Sequence, residues 1–364
     1  MTALYIDGIN APDEIKESVK QLSLDFIFYR ESSKGANGYL FFGKNKITNI
    51  KIALKFYYWG NNKAYHAEPQ KLSQINSDNV IKILNASYLD DDWAYFITPL
   101  CENGDIDDFI ETTDIGNHKA IDMISQILIG ISFLHSERFI HRDLKPSNIY
   151  LCDEERVVIG DFGSIKHIPV GLNTIPASSH SILYRPPESV TTNAYGISGD
   201  IYQIGMVLYQ LLGGYLPYDE ISWLNKKELL HYNTLIDDFD KSAFVDQCLK
   251  NKIIKSKVLS MSSLPPWVPD NIKRIIKKAC HKDPNQRFVT ASEFKAKLHQ
   301  IKPQVLDWSL VNGIPTLVKN GTTFNIIDES GILKVKKKRA SSWRYDHSFT
   351  GDLKTIIEAI NNNV

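Results

Sequence analysis

The chain has 364 residues, of which 43% are hydrophobic and 23% charged, and its 42 Lys+Arg balance its 42 Asp+Glu to a formal net charge of zero. This is the profile of an ordinary globular protein, built as one large two-lobed domain or two to three small ones. The charge balance excludes a global basic field for nucleic acid or an anionic membrane, so either partner would need a local patch.

In chain order, residues 1–24 form an N-terminal extension. Its start, MTALYIDGINAPDEIKESVK, has no basic stretch followed by an apolar core and is not a signal peptide. FIFYRES, YLFFGKN, KIALKFYYW and WAYFITPL then read as strands, rich in β-branched and aromatic residues and separated by Gly, Asn and Lys turns. A short helical stretch from Pro69 to Ile75 interrupts them. After Gly104 the periodicity changes, and Ile121, Ile124, Leu128, Ile131 and Leu134 recur at helical spacing. Residues 200–212, apolar almost all round, predict a buried helix. Their run to Leu216 is interrupted by Tyr202, Gln203, Gln210 and glycines and is too short and polar to span a bilayer, so a cytoplasmic protein without a membrane partner is expected. Asp270 begins another helix, and Thr290-Ala291-Ser292-Glu293 predicts a capping box for one more. Strand-rich and then helix-rich texture makes an α+β arrangement.

A third texture begins near Pro303. Asn312-Gly313, Asn320-Gly321 and Ser330-Gly331 are turn dipeptides between strand-like runs over 305–311, 314–319, 322–327 and 332–339. These predict a small β-meander domain over 304–364, closed by a helix from Leu353 to Ile360. Cys101, Cys152, Cys248 and Cys280 show no CxxC or zinc spacing and read as reduced, partly buried thiols.

The densest chemistry lies in His141-Arg142-Asp143-Leu144-Lys145-Pro146-Ser147-Asn148, followed by Asp161-Phe162-Gly163 behind the strand-like Val157-Val158-Ile159. Phosphoryl transfer needs an acceptor hydroxyl aimed at the γ-phosphate and cations that neutralise the phosphate oxygens. An Asp to accept the hydroxyl proton, a Lys near the γ-phosphate, and an Asn and an Asp to hold magnesium meet that need. In these residues the chain resembles the eukaryotic-like serine/threonine protein kinase family, at every functional position of its catalytic loop and DFG motif. The resemblance implies a bilobal fold over 25–300, with a β-rich N-lobe at 25–98, a hinge at 99–103 and a helical C-lobe at 104–300. It implies ATP and two magnesium ions in the cleft between lobes, Asp143 as catalytic base, Lys145 as a γ-phosphate contact, and Asn148 and Asp161 as magnesium ligands.

Other family marks follow residue by residue. Lys55, in Ile52-Ala53-Leu54-Lys55, resembles the ATP-positioning lysine, with Glu68 as its ion-pair partner. Glu68 is the only carboxylate between Lys55 and Ser77, and Pro69 beside it starts the helix at Glu68. Ser33-Lys34-Gly35-Ala36-Asn37-Gly38-Tyr39-Leu40 resembles the glycine-rich phosphate loop, with Ser33 where the first glycine is usual. By the same resemblance Leu40 and Ala53 line the nucleotide site, Thr98 is the gatekeeper, and backbone groups of Leu100 and Cys101 bond adenine. Tyr184-Arg185-Pro186-Pro187-Glu188 resembles the end of an activation segment, Asp200 the buried anchor of the catalytic loop, and Arg287 the partner of Glu188.

Lys145 and Ser181 point to serine/threonine over tyrosine specificity. Arg142 suggests control by a loop phosphate, with Thr174, Ser178 and Ser179 as the acceptor sites and autophosphorylation as the route. The expected substrates are proteins. Two rival readings are a nucleotide-binding pseudokinase or scaffold and a small-molecule kinase on a related fold; the complete Lys55, Asp143, Asn148 and Asp161 set opposes the first, and the Pro-Pro-Glu close opposes the second. Residues 304–364 lie outside the resemblance. The run from Lys334 to Arg339, followed by Trp343-Arg344-Tyr345, reads as a solvated face protecting a strand edge, with docking on the helical lobe or on a protein partner preferred to nucleic acid.

Overall fold

The structure, a computed structural model, describes residues 3–32, 38–60, 70, 73–152, 156–177 and 182–364. Ser33, Gly35, Glu68, Ser178, Ser179 and Ser181 lie outside the described residues. Two compact units divide the chain: Met1–Asp105 with Ile149–Ile165, and Ile106–Asn148 with Lys166–Val364.

The first unit opens with helix α1 (Asp13–Leu22), then strands β1 (Phe26–Ser32), β2 (Gly38–Asn45), β3 (Lys51–Tyr58), β4 (Asn85–Tyr88) and β5 (Trp93–Pro99). They pair antiparallel in the order β1-β2-β3-β5-β4. Period-2 alternation on β3 sends Ile52, Leu54 and Phe56 to one face, where they cluster with Phe28, Phe41 and Ile97. Ile15 and Val19, four residues apart on α1, close that core, so part of the N-terminal extension is built into the sheet's packing. Burying each such side chain contributes about 1.5–3 kcal/mol. Of the helix expected over 69–75, Gln70 is helical, whereas Ser73 and Gln74 form a turn. The Ser73 hydroxyl donates to the Gln70 carbonyl (2.8 Å), giving the backbone an alternative to a further helical turn.

The chain enters the second unit with α2 (Ile106–Thr112), α3 (Asn117–Ser136) and β6 (Phe139–Ile140). It returns to the first for the hairpin β7 (Ile149–Leu151) and β8 (Val157–Ile159). The second unit resumes with β9 (Lys166–His167), β10 (Ile175–Pro176), α4 (Pro187–Thr191), β11 (Ala194–Tyr195) and α5 (Ile197–Leu211). Helices α6 (Lys226–Tyr232), α7 (Asp238–Ile254), α8 (Asp270–Ala279) and α9 (Ala291–Ile301) follow. As its composition predicts, α5 is the centre: every residue from Gly199 to Leu211 is buried, with α3 and α8 packed against it. Thr290 caps α9 by accepting from the Glu293 N–H, but Glu293 reaches back to the N–H of Val289, so the predicted box closes one residue early.

The C-terminal strands β12 (Trp308–Val311), β13 (Ile314–Lys319), β14 (Thr322–Glu329), β15 (Ile332–Lys338) and β16 (Trp343–Asp346) form an antiparallel meander in chain order. Asn312-Gly313 and Asn320-Gly321 turn with both residues at positive φ, the geometry two-residue hairpins require. The sequence indicated four of these strands, and β16 is a fifth. Helix α10 (Leu353–Asn363), capped by Asp352, buries Ile356, Ile357 and Ile360 against Leu317, Phe324, Ile326 and Val335. Trp267 of the helical region packs on this cluster, and Asn117 Nδ2 donates to the carbonyls of Trp267 (3.2 Å) and Leu306 (2.9 Å).

The expectation of four reduced thiols is corrected for two of them. Cys101 and Cys152 are joined by a disulfide, whereas Cys248 and Cys280 are free and buried. Their neighbours explain the meeting: Asn103 N–H donates to the Leu151 carbonyl (3.2 Å) and Leu151 N–H to Gly104 (2.9 Å), laying the end of β5 beside β7. A separation of 51 residues hides this pair from any spacing rule.

Candidate active site

On β3 the residues between the core positions, Ala53 and Lys55, face away from the core. Cross-strand register sets Leu40 opposite Lys55, Thr98 opposite Ala53 and Gly38 opposite Tyr57. Five residues that the sequence assigned to the nucleotide, Gly38, Leu40, Ala53, Lys55 and Thr98, therefore share one face of the first unit. Gly38 is there for want of room: a Cβ would lie 1.9 Å from the Phe56 carbonyl oxygen. Lys55 Nζ sits 5.6 Å from the Phe96 ring centroid and 3.8 Å from Asp161 Oδ1. Its expected partner Glu68 is outside the described residues. Asp161 itself is held at φ 53°, a left-handed conformation that non-glycine residues adopt only under constraint.

The adenine contacts need one adjustment. Leu100 donates its N–H to the Lys51 carbonyl (3.0 Å), so that donor is committed within the sheet and only the Leu100 carbonyl is left for a base. Cys101 accepts from Gly104 N–H (3.3 Å).

In the second unit the catalytic-loop residues converge on Asp143. Asn148 Nδ2 donates to the Asp143 carbonyl (2.7 Å) and to its Oδ2 (3.1 Å), and Lys145 Nζ lies 3.3 Å from the same Oδ2. Asp143 is 6% exposed, and its Oδ1 is buried without a hydrogen-bond partner among the described residues. An acceptor left open at that cost is available for an incoming hydroxyl. With Nδ2 spent on Asp143, Asn148 has Oδ1 to offer a cation. Amide and carboxylate oxygens, at Asn148 and Asp161, are the hard donors that magnesium takes alongside water and phosphate.

The loop's shape comes from Asp200, which is fully buried on α5. Its carboxylate accepts from the N–H groups of His141 and Arg142 (2.9 Å each), from His135 Nε2 (2.8 Å) and from the Tyr195 hydroxyl (3.0 Å). Burial pushes the Asp200 carboxyl up, but the hydrogen bond and charge of His135 with the Arg142 N–H hold it below the ordinary carboxylate value. Gln203, one turn on, accepts from Leu144 N–H (2.9 Å) and shares with Asp200 the single proton of the Tyr195 hydroxyl (2.8 Å). The anchor role expected of Asp200 is thus visible as donors and distances. His135 and Tyr195 were missed as its partners, and Gln203 as a second anchor of the loop; the one signal was a polar residue three positions after Asp200 inside an apolar helix.

Arg142 stands at φ 73°, and burial lowers its guanidinium below the ordinary value, with Tyr195 and Asp200 opposing. Its Nε is buried without a partner among the described residues. Thr174 is exposed just before β10. Glu188 and Arg287 form the expected pair, with two N–H···O contacts of 2.7 Å, and Arg287 further donates to the carbonyls of His281 and Ser198. Lys145 and Ser147 of the catalytic loop and Tyr184 line a cavity of about 250 Å³ together with Asp107, Tyr218, Glu220 and Trp223, which belong to no motif quoted from the sequence.

A family profile described as "Protein kinase domain" matches residues 30–299. The chain is similar to the 3-phosphoinositide-dependent protein kinase B of Dictyostelium discoideum, at 29% identity over 307 residues, covering 73% of this chain and 32% of that protein. It is similar to the calcium/calmodulin-dependent protein kinase type 1 of Macrobrachium nipponense (28%, covering 62% and 68%) and to the serine/threonine-protein kinase PrkC of Bacillus subtilis (25%, covering 77% and 41%). The chain thus spans about a third of the first relative's length and about two thirds of the second's.

Proposed function

Because the chain belongs to the protein kinase domain family, we propose that it transfers the γ-phosphoryl group of ATP to serine and threonine hydroxyls of protein substrates. The observation that carries this reading is Asp143, with one carboxylate oxygen bound to Asn148 and Lys145 and the other buried without a hydrogen-bond partner among the described residues. Asp143 Oδ1 accepts the substrate hydroxyl's proton as the oxygen attacks the γ-phosphorus, the bond from that phosphorus to the β–γ bridging oxygen breaks and ADP leaves, and Lys145 offsets charge on the transferred group. Lys55 holds the nucleotide phosphates, with Gly38, Leu40, Ala53 and Thr98 around it. Asn148 Oδ1 and Asp161 would each offer an oxygen ligand to magnesium, which would supply charge neutralisation for the phosphates. Asn148 and the Asp200-bound backbone keep the Asp143 carboxylate in place.

The cavity beside Lys145 is the place for the substrate's flanking residues, and Asp107 and Glu220 in its wall favour basic ones. Autophosphorylation at Thr174, Ser178 or Ser179 belongs to the same reading, supported by the buried Nε of Arg142, which has no partner among the described residues. No helix of the described residues is long and apolar enough to cross a membrane. A cytoplasmic setting, where ATP is abundant, completes the proposal.

The test is phosphate transfer from labelled ATP with magnesium into the chain itself and into a basic protein, with Asp143→Asn and Lys55→Ala in parallel. Label on serine or threonine that both variants abolish is the expected outcome. Label that persists in Asp143→Asn would refute the assigned base.

A further inference from the structure

The basic run after Lys334 is not where edge protection would put it. It lies on β15, which is paired on both sides, with β14 and with β16. Alternation sends Leu333 and Val335 inward towards α10 and sets Lys334, Lys336 and Lys338 on the opposite, outer face. Register places Tyr345 opposite Lys336 and Trp343 opposite Lys338, so both rings stand on that face beside the lysines. Lys336 Nζ is 4.7 Å and Lys334 Nζ 5.6 Å from the Tyr345 centroid, and Lys338 Nζ is 6.0 Å from that of Trp343. Both aromatic residues are 43% exposed. On β14 the same face continues as Thr323 and Asn325. Its one carboxylate among the strands β14–β16 is Glu329, bound to Lys334 (2.7 Å) and to the Tyr345 hydroxyl (2.6 Å), with Lys336 Nζ 3.6 Å away, so a phosphate must compete with it for both lysines. The opposite edge of the sheet, β12, is the one next to α3, where a Cβ on Gly116 would meet Asp307 and Ser309.

We propose that the outer face of β14–β16 binds single-stranded nucleic acid, with bases stacked on Trp343 and Tyr345 and phosphates held by Lys334, Lys336 and Lys338. Sequence alone favoured a solvated edge; the structure removes the edge and gathers rings and cations on one surface. Residues two apart on a strand are separated by about 6.8 Å, roughly twice the 3.4 Å rise per nucleotide of a duplex strand. Two successive bases drawn out of their own stack therefore match the two rings. Each ammonium now rests beside a ring, and a base arriving there brings a phosphate for it to move to. A sheet face with exposed aromatics among cations is a sequence-tolerant platform for single strands. An acidic peptide would use the lysines and leave the rings without a role.

The full chain is titrated against a fluorescein-labelled twelve-nucleotide oligothymidylate by anisotropy. Saturable binding is expected, weakened about tenfold or more by Trp343→Ala with Tyr345→Ala, retained by Trp343→Phe, and tightened by Glu329→Gln. The logarithm of the affinity should fall with that of salt at a slope of about −2, the value for three phosphate contacts on a single strand. Circular dichroism of each variant verifies its fold, and Trp343→Phe with the salt slope judges the proposal if the double variant is unfolded. No saturation, equal affinity without the rings, or equal competition by polyglutamate or phosphatidylserine vesicles overturns it.

Discussion

Asp143, Lys145 and Asn148 are held by one another, so a single atom exchange at Asp143 removes the base while leaving the surrounding contacts to an amide. Asp143→Asn should lower kcat by about 10²–10⁴ with little change in the KM for ATP, read from initial rates. Gly38 is a steric necessity of a different kind. Gly38→Ala must push β2 from β3 to clear the Phe56 carbonyl, and equilibrium urea unfolding should show a loss of about 1–3 kcal/mol. Asp200 makes the protein acid-sensitive. Its folded pKa is below the unfolded one, so the native state binds fewer protons, and its stabilisation is present above the ordinary carboxylate range and lost as pH falls through the folded value. Thermal melts should show stability declining below about pH 4, with a shallower decline in Asp200→Asn.

Among the elements, the segment that ends in α4 is tied to the turn before α9 by Glu188 and Arg287. Arg287→Leu strands a half-buried carboxylate and should cost about 3–5 kcal/mol in chemical denaturation, whereas Glu188→Leu combined with Arg287→Leu should recover much of it. That pair, the Asp200 anchor and α5 were legible because each rests on a short motif or on unbroken apolarity. The catalytic loop was legible for the same reason, since its functional residues lie within eight consecutive positions. What stayed hidden lies in meetings between distant residues. Cys101 meets Cys152 only because β5 ends against β7. His135 and Tyr195 approach Asp200 from two other elements. Strand β16 was hidden differently: Trp343-Arg344-Tyr345-Asp346 is too short and too polar to announce a strand, and it is recognised as one only through its pairing with β15. Glu68 and two of the three suggested phosphate acceptors fall outside the described residues, so their sequence readings stand as proposals.

At the scale of the whole chain, the C-terminal sheet shares a compact unit with the helices. Asn117 bonds the Leu306 and Trp267 carbonyls, His118 donates its N–H to Asp307 Oδ1 (2.8 Å), and Trp267 packs on the sheet's core. A chain ending at residue 303 should lose on the order of 2 kcal/mol through the two bonds to Leu306 and Asp307 alone and expose Trp267, giving a lower melting temperature and aggregation visible by light scattering. An unchanged melt would mean that the sheet adds nothing to the helices it touches. The catalytic loop has a consequence of another sort, one of timing. Its backbone donor at Arg142 waits for an acceptor 58 residues further along the chain. At a synthesis rate of about 5–20 residues per second, the loop is synthesised several seconds before Asp200 exists to shape it. A nascent chain therefore carries all the letters of its catalytic motif before it has the residue that shapes the loop, and the proposed phosphate transfer should begin only once α5 has been made and buried.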